Sequence, residues 1–149
     1  MIAVDTNVLL RYLLRDDDMQ AQKARQLFES GEHVLVTDVV LAESVWTLLG
    51  RRYRASRTDI IALVGSLLQE PNVRFEDDEV IFSALQAYRE TDADFADALI
   101  VQKALKMAPA DDELQAVYTF DAGALQLPHT AAPHAARSPA RRAGRRRGR

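Results

Sequence analysis

Short apolar runs alternate along the chain with stretches in which apolar residues recur at helical spacing. Runs at positions 2–4, 33–36, 73–75 and 116–120 predict four short, buried strands. Helical spacing predicts six helices, at about 6–15, 18–28, 38–53, 56–69, 77–89 and 95–107. Because strands separated by helices are typical of α/β folds, the pattern predicts an α/β sandwich around a mainly parallel sheet.

Polar residues at the predicted boundaries support this division into elements. Either Asp17 or Asp18 is placed to cap the second helix, and Gly31 follows its end. Ser56 and Asp59 have the spacing of a capping box at the start of the fourth helix. These signals place the helix starts more firmly than the apolar spacing alone.

Four acidic residues interrupt these apolar elements or directly follow them: Asp5, Glu43, Asp97 and Asp121. Acids are rarely buried in apolar surroundings unless they are paired or bind a metal. Asp5 and Asp121 each follow a predicted strand, and ligands bind beyond the carboxyl ends of strands in open parallel sheets. Helices that start at the same edge can bring Glu43 and Asp97 to it. The pattern predicts one site filled by a divalent cation, as in a metal-dependent hydrolase.

Several of these acids also have a purely structural explanation. Asp5 is placed to cap the first helix, and Asp121 is placed to cap a short turn at 122–125. Asp94 is placed to cap the sixth helix, three positions before Asp97. Two carboxylates at that spacing repel each other unless a cation lies between them. Capping and metal binding both stay open at these positions.

Glu43 is harder to explain as an ordinary surface residue. Its neighbours at helical spacing are mostly apolar: Val39, Val40, Trp46 and Thr47. The spacing therefore predicts that Glu43 lies on the buried face of its helix, where a carboxylate needs a partner. A partly exposed or neutral glutamate is the alternative.

Composition narrows the setting in which such a site would work. The 149 residues are 48% hydrophobic and 28% charged, which predicts one globular domain with one core. The chain has no cysteine, which excludes disulfides and cysteine nucleophiles. No apolar run approaches the roughly 18–20 residues that span a membrane, and no signal peptide is expected. We expect a cytoplasmic protein with no membrane partner.

The net charge of −3 combines an acidic domain with a basic tail. All 22 acids lie in residues 1–127, whereas residues 128–149 contain seven arginines and no acid. The tail is rich in Ala, Pro and Arg and has no strand-like run after Pro128, so we expect it to be disordered. It is either a solvated appendage or a segment that holds nucleic acid through phosphates.

A second basic group is expected at the end of the third helix: Arg51, Arg52, Arg54 and Arg57. Arginines there suit the negative end of the helix. They also suit a phosphate backbone lying beside the acidic site.

The motifs around the four acids resemble those of the PIN-domain family. They are the opening run Met1-Ile-Ala-Val-Asp5-Thr6-Asn7, the helix segment Leu41-Ala-Glu43-Ser-Val-Trp46, Asp94-Phe-Ala-Asp97-Ala-Leu-Ile100 and Thr119-Phe-Asp121. The resemblance covers residues 1–127 and implies a three-layer α/β sandwich with a short, mainly parallel sheet. The small size is most similar to that of VapC toxins from type II toxin–antitoxin pairs.

This resemblance implies an endoribonuclease that requires Mg²⁺ or Mn²⁺, forms a homodimer and is silenced by a VapB-type antitoxin. It implies that Asp5, Glu43, Asp97 and Asp121 carry the metal and activate water, with Asp94 as a further candidate ligand. Thr6, Asn7 and Thr119 would orient these acids. Oxygen ligands of this kind are the ones that Mg²⁺ prefers.

The end of the chain departs from the family pattern, because residues 129–149 contain no run resembling the final strand of the sheet. Two other functional classes stay open. One is a degenerate PIN-like protein that binds a partner or RNA without cleaving it. The other is a phosphatase with an aspartate nucleophile at Asp5, although that chemistry usually has a second aspartate where Asn7 stands.

Overall fold

The computed structural model describes residues 1–15 and 18–134. Within these residues the chain forms six α-helices, five two-residue strands and one 3₁₀ helix. In chain order they are β1 (Ile2–Ala3), α1 (Thr6–Leu14), α2 (Met19–Phe28), β2 (Val34–Leu35), α3 (Asp38–Leu49), α4 (Arg57–Gln69), β3 (Val73–Arg74), α5 (Asp78–Glu90), α6 (Phe95–Met107), β4 (Val117–Tyr118), the 3₁₀ helix (Ala124–Gln126) and β5 (Thr130–Ala131).

The strands form two short parallel sheets. The first has the order β1-β2-β3, so that Val34 of β2 lies between Ile2 of β1 and Val73 of β3. The second pairs β4 with β5. Parallel neighbours need a crossover connection, and here two helices provide each crossover of the first sheet. This arrangement confirms the expected α/β sandwich with a short, mainly parallel sheet.

The core lies between the first sheet and the helices that cover it. The side chains of Leu9, Leu41, Ile81, Tyr88 and Phe95 are almost completely buried. Helix α5 packs against α6, and α3 packs against both α1 and α6. None of the helices in the described part of the chain combines the length and apolar character needed to cross a bilayer. Glu43 on α3 and Asp97 on α6 therefore belong to helices that contact each other.

The helix starts agree with the predicted capping residues. Asp18 accepts a hydrogen bond from the backbone N–H of Ala21 at 2.7 Å and so caps α2, whereas Asp17 lies outside the described residues. Ser56 and Asp59 form the predicted capping box at the start of α4. Local polar signals therefore do set where these helices begin.

The end of α3 differs from the prediction. Helical spacing extended the third helix to Tyr53, but α3 ends at Leu49 because the backbone of Gly50 is extended, with φ −70° and ψ 178°. Glycine lacks the side chain that favours the helix, so it ends the element although apolar residues continue beyond it.

The prediction that no strand follows Pro128 is wrong. Thr130–Ala131 pairs with β4, and the backbone N–H of Val117 donates to the carbonyl of His129 at 2.7 Å. The hydroxyl of Thr130 also donates to the carbonyl of Leu127 at 2.7 Å. Backbone groups make this pairing, so no apolar run is needed. The seven arginines of the tail fall in residues 135–149, which lie outside the described part of the chain. The disorder expected for this segment therefore stays a prediction.

Arg57 joins the start of α4 to the segment that leads into α6. Its guanidinium donates to the carbonyl oxygens of Tyr88, Thr91 at 2.7 Å and Ala93 at 3.2 Å. It also lies 3.8 Å from the centroid of the Tyr88 ring, in a cation–π contact. Arg57 thus binds carbonyls at the end of α5 and fixes the backbone just before Asp94. The prediction that Arg57 belongs to a basic group at the end of the third helix is wrong, because Arg57 is the first residue of α4.

Cutting the chain before β5 should destabilise the fold. A protein that ends at Pro128 loses the hydrogen bonds to β4 and the contacts of Thr130, each worth about 1 kcal/mol. We expect its melting temperature to lie roughly 3–8 °C below that of a protein ending at His134. Equal melting temperatures, measured by circular dichroism, would show that β5 contributes nothing to stability.

Replacing Arg57 should loosen the segment before α6. The change Arg57→Met keeps the length of the side chain but leaves several carbonyls without a charged donor, at a cost of about 2–3 kcal/mol. Arg89→Met is the matched control, because Arg89 is exposed on α5 and has no side-chain partner among the described residues. Urea unfolding measures both variants, and similar losses in the two would contradict this role for Arg57.

Candidate active site

Asp5 lies where β1 passes into α1. Its Oδ1 atom accepts a hydrogen bond from the backbone N–H of Val8 at 2.9 Å, so Asp5 caps α1. Capping was one of the two roles predicted for this residue. The other carboxylate oxygen has no hydrogen-bond partner among the described residues, and the side chain is exposed. Capping therefore fixes the orientation of Asp5 while leaving one oxygen for a ligand.

A hydrogen bond connects the next residue to the second acid. The hydroxyl of Thr6 donates to Oε2 of Glu43 at 2.7 Å and so links α1 to α3. This contact holds Glu43 beside the start of α1, close to the end of β1. The side chain of Asn7 is exposed and makes no hydrogen bond to the acids within the described residues.

The prediction that Glu43 lies on a buried face is wrong. Glu43 is exposed, and its neighbours Val39 and Trp46 have exposed fractions of 67% and 79%. Helix α3 instead buries the face with Leu41, Ser44, Val45 and Leu48. Because α3 is apolar on both faces, the spacing of its residues does not reveal which face meets the core.

Asp97 lies in the first turn of α6 and is half-buried. Burial raises the pKa of its carboxyl group, and the nearby carboxylates of Asp121 and Asp94 raise it further. Asp94 occupies the N-cap position of α6, but its side chain makes no capping hydrogen bond. Asp94 is therefore at the predicted N-cap position, but the predicted capping by its side chain is wrong, which leaves its carboxylate without a bond to the helix backbone.

Asp121 follows β4 and is held from two sides. Its Oδ1 atom accepts a hydrogen bond from the backbone N–H of Ala124 at 2.8 Å, so the predicted cap of this turn does form. Its own backbone N–H donates to the hydroxyl of Thr119 at 3.0 Å. Thr119 thus orients the backbone that carries Asp121.

Gly123 was missed by the sequence analysis. A β-carbon at this position would lie 3.1 Å from Oδ1 of Asp121 and 3.4 Å from the carbonyl oxygen of Asp92. The turn after β4 therefore packs closely against the segment before α6, and a larger residue at position 123 would crowd the carboxylate of Asp121. The signal in the sequence that could have identified this tight turn is a glycine two residues after the candidate acid Asp121.

Helices α3 and α6, which carry Glu43 and Asp97, pack against each other. Ala42 and Ala96 line the same two open pockets, and each directly precedes one of the acids, Glu43 or Asp97. The structure thus connects Thr6, the neighbour of Asp5, to Glu43 by a hydrogen bond, and Asp97 to Asp121 and Asp94 by electrostatic interaction.

The chemical nature of this region fits a hard divalent cation. Within residues 1–15 and 18–134, no basic side chain forms an ion pair with Asp5, Glu43, Asp94, Asp97 or Asp121. The same residues contain no group of three or more His, Asp or Glu side chains arranged to hold a metal ion. Mg²⁺ keeps several of its waters and is commonly held by one or two carboxylates, and a cation would relieve the repulsion at Asp97.

Comparison with known proteins gives one assignment. The PIN domain family matches residues 2–129, and no curated protein matches the chain. The matched region includes all of the candidate acids and every described element except the last strand. Since the match covers most of the chain, this protein belongs to the PIN domain family.

Proposed function

We propose that this protein is a metal-dependent endoribonuclease and the toxin of a toxin–antitoxin pair. The observation that carries the proposal is the acidic group of Asp97, Asp121 and Asp94. Burial raises the pKa of Asp97, the two neighbouring carboxylates raise it further, and no basic side chain among the described residues forms an ion pair with the group. Asp5, Glu43, Asp97 and Asp121 would hold Mg²⁺ or Mn²⁺, with Asp94 as a further ligand. PIN domains are nuclease-like, which supports phosphodiester hydrolysis as the reaction.

The contacts of the individual residues suggest which of them bind a cation and which of them hold the ligands in place. When bound, a divalent cation supplies Lewis acidity, which eases the deprotonation of water and offsets the charge of the phosphate. Thr6 holds Oε2 of Glu43 in one orientation. The caps made by Asp5 and Asp121 occupy one oxygen each, so one oxygen of each carboxylate is left for a cation. Fixed carboxylates of this kind need no reorganisation before they act.

A non-catalytic PIN-like binding protein is the second candidate. The absence of a three-carboxylate metal group within the described residues favours it. In that case the protein would bind RNA or a partner and cleave nothing. The two candidates differ in one observable, which is the appearance of shorter RNA products.

We also propose that the protein forms a homodimer through the apolar surface shared by α3 and α6. Val39, Ile100 and Met107 have exposed fractions of 67%, 55% and 70% there, around an open pocket of about 520 Å³. Exposed apolar patches mark interaction surfaces. Sedimentation of Ile100→Asp tests this, because an unchanged dimer would contradict the assignment of this surface.

The resemblance to VapC toxins supports a VapB-type antitoxin as the second partner and the cytoplasm as the place of action, where such a toxin meets its RNA. A small protein encoded next to this gene should copurify with the chain and stop RNA cleavage. A neighbouring gene product that neither binds nor inhibits would contradict the toxin–antitoxin proposal while leaving the nuclease untouched.

Purified protein should cleave RNA with Mg²⁺ or Mn²⁺ and stop with EDTA. The change Asp97→Asn keeps the side-chain shape but removes a charged ligand, and should lower the cleavage rate by at least about 100-fold. Asp92→Asn is the matched control, since Asp92 is an exposed acid in the segment just before α6 and is not a proposed ligand. Gel analysis of a labelled RNA gives the rates.

Two outcomes would contradict the proposal. Cleavage that continues in EDTA would remove the metal from the reaction. Equal rates for Asp97→Asn and the unchanged protein would move the site away from α6. If no RNA is cut under any condition while RNA still binds, the non-catalytic candidate is correct.

A further inference from the structure

The single tryptophan of the chain lies in an open pocket next to the proposed active site. The pocket has a volume of about 510 Å³ and lies between the second half of α3 and the start of α6. Trp46, Arg51, Arg52 and Asp94 are among its lining residues. The exposed fraction of Trp46 is 79%, which is unusual for the largest apolar side chain and indicates a surface that binds a partner or ligand.

Both walls of this pocket adjoin proposed active-site acids. On α3, Trp46 follows Glu43 by three positions, which places the two side chains on neighbouring positions of the helix surface. On α6, Asp94 lines the pocket and precedes Asp97 by three positions, one turn along the same helix. A ligand in the pocket would therefore continue directly into the region of the acids.

The arginines of the pocket are available to an anion. Arg51 and Arg52 are exposed, and no carboxylate forms an ion pair with either among the described residues. The guanidinium of Arg52 lies 5.3 Å from the centroid of the Tyr53 ring. Neither side chain donates to the last carbonyls of α3, so capping of that helix does not explain them. They place positive charge beside an otherwise acidic site.

We propose that Trp46, Arg51 and Arg52 form a subsite for one unpaired RNA nucleotide that flanks the bond to be cut. The base stacks on the indole of Trp46, and the adjoining phosphates pair with Arg51 and Arg52. This deepens the proposed ribonuclease function and rests on it. Stacking accepts every base, so the subsite selects unpaired RNA over duplex and does not select a base identity.

The same residues explain how a polyanion approaches four carboxylates. The arginines attract the phosphates that neighbour the scissile one, while a cation among the acids receives the scissile phosphate itself. The pocket thus supplies the positive charge that the acids lack. Phosphate contacts of this kind fix the register of the strand at the site.

Tryptophan fluorescence tests the subsite independently of cleavage, because Trp46 is the only tryptophan. The full-length Asp97→Asn protein is titrated with octauridylate, with an abasic ribose-phosphate chain of equal charge, and with an RNA duplex. We expect octauridylate to change the emission of Trp46 in a saturable way. The abasic chain and the duplex should cause a much smaller change.

Two substitutions then separate stacking from charge. In the otherwise unchanged protein, Trp46→Ala should raise the KM for unpaired RNA by about 5- to 100-fold with little change in kcat, and Trp46→Phe should restore most of it. Arg51→Gln with Arg52→Gln should weaken octauridylate binding and lower the salt slope of log K by up to about 1.4. Arg89→Gln, on α5, is the control and should change neither. Melting curves confirm that each variant is folded.

Failure of the subsite and failure of the nuclease give different results. An emission change without any RNA cleavage would overturn the nuclease but support the subsite. Cleavage with an unchanged KM in Trp46→Ala, or equal emission changes with the abasic chain, would overturn the subsite alone. An emission shift that depends on protein concentration without RNA would also overturn it, because a second copy of the chain would then cover Trp46.

Discussion

The half-buried carboxylate of Asp97, with the carboxylates of Asp121 and Asp94 nearby, is the constraint on which the rest of the structure depends. Because burial and these neighbours raise the pKa of Asp97, its ionised form is less stable in the folded chain than in the unfolded chain. This loss of stability is present at neutral pH and disappears as the pH falls and Asp97 becomes protonated. A fold that keeps such a group in its charged form gains from a cation placed beside it.

The architecture holds this repulsive group together through contacts that lie outside it. Arg57 donates hydrogen bonds to carbonyl groups in the segment before α6. Gly123, in the turn after β4, packs against the carbonyl of Asp92 in the same segment. The hydroxyl of Thr119 accepts a hydrogen bond from the backbone of Asp121, and the pairing of β4 with β5 holds the strand that precedes this turn. The positions of the acids are therefore set by neutral and cationic groups that take no part in the proposed chemistry.

Sequence patterns were sufficient where a structural element is decided locally. The strands followed by Asp5 and Asp121, the capping box of Ser56 and Asp59, and the six helices of the described chain all depend on residues close in sequence. The fold class followed from their order. The candidate acids were recognised for the same reason, since each interrupts or ends an apolar run.

The sequence was insufficient where the outcome depends on distant partners. The exposed position of Glu43 is decided by which face of α3 meets the core, and both faces are apolar. Strand β5 forms through backbone groups of Thr130 and Ala131, whose side chains give no pattern. The role of Arg57 depends on carbonyls more than thirty positions away. Periodicity within a single element carries no information about such contacts.

The most direct measurement of the central claim is the melting temperature of the unchanged protein and of Asp97→Asn, in EDTA and then with increasing Mg²⁺ or Mn²⁺. In EDTA, we expect Asp97→Asn to melt at the same or a higher temperature, because the substitution relieves the repulsion. A cation at 100 times its Kd should stabilise the unchanged protein by about 2.7 kcal/mol, and the variant by much less. Equal shifts in both proteins, or no shift in the unchanged protein, would contradict the assignment of Asp97 to a cation site.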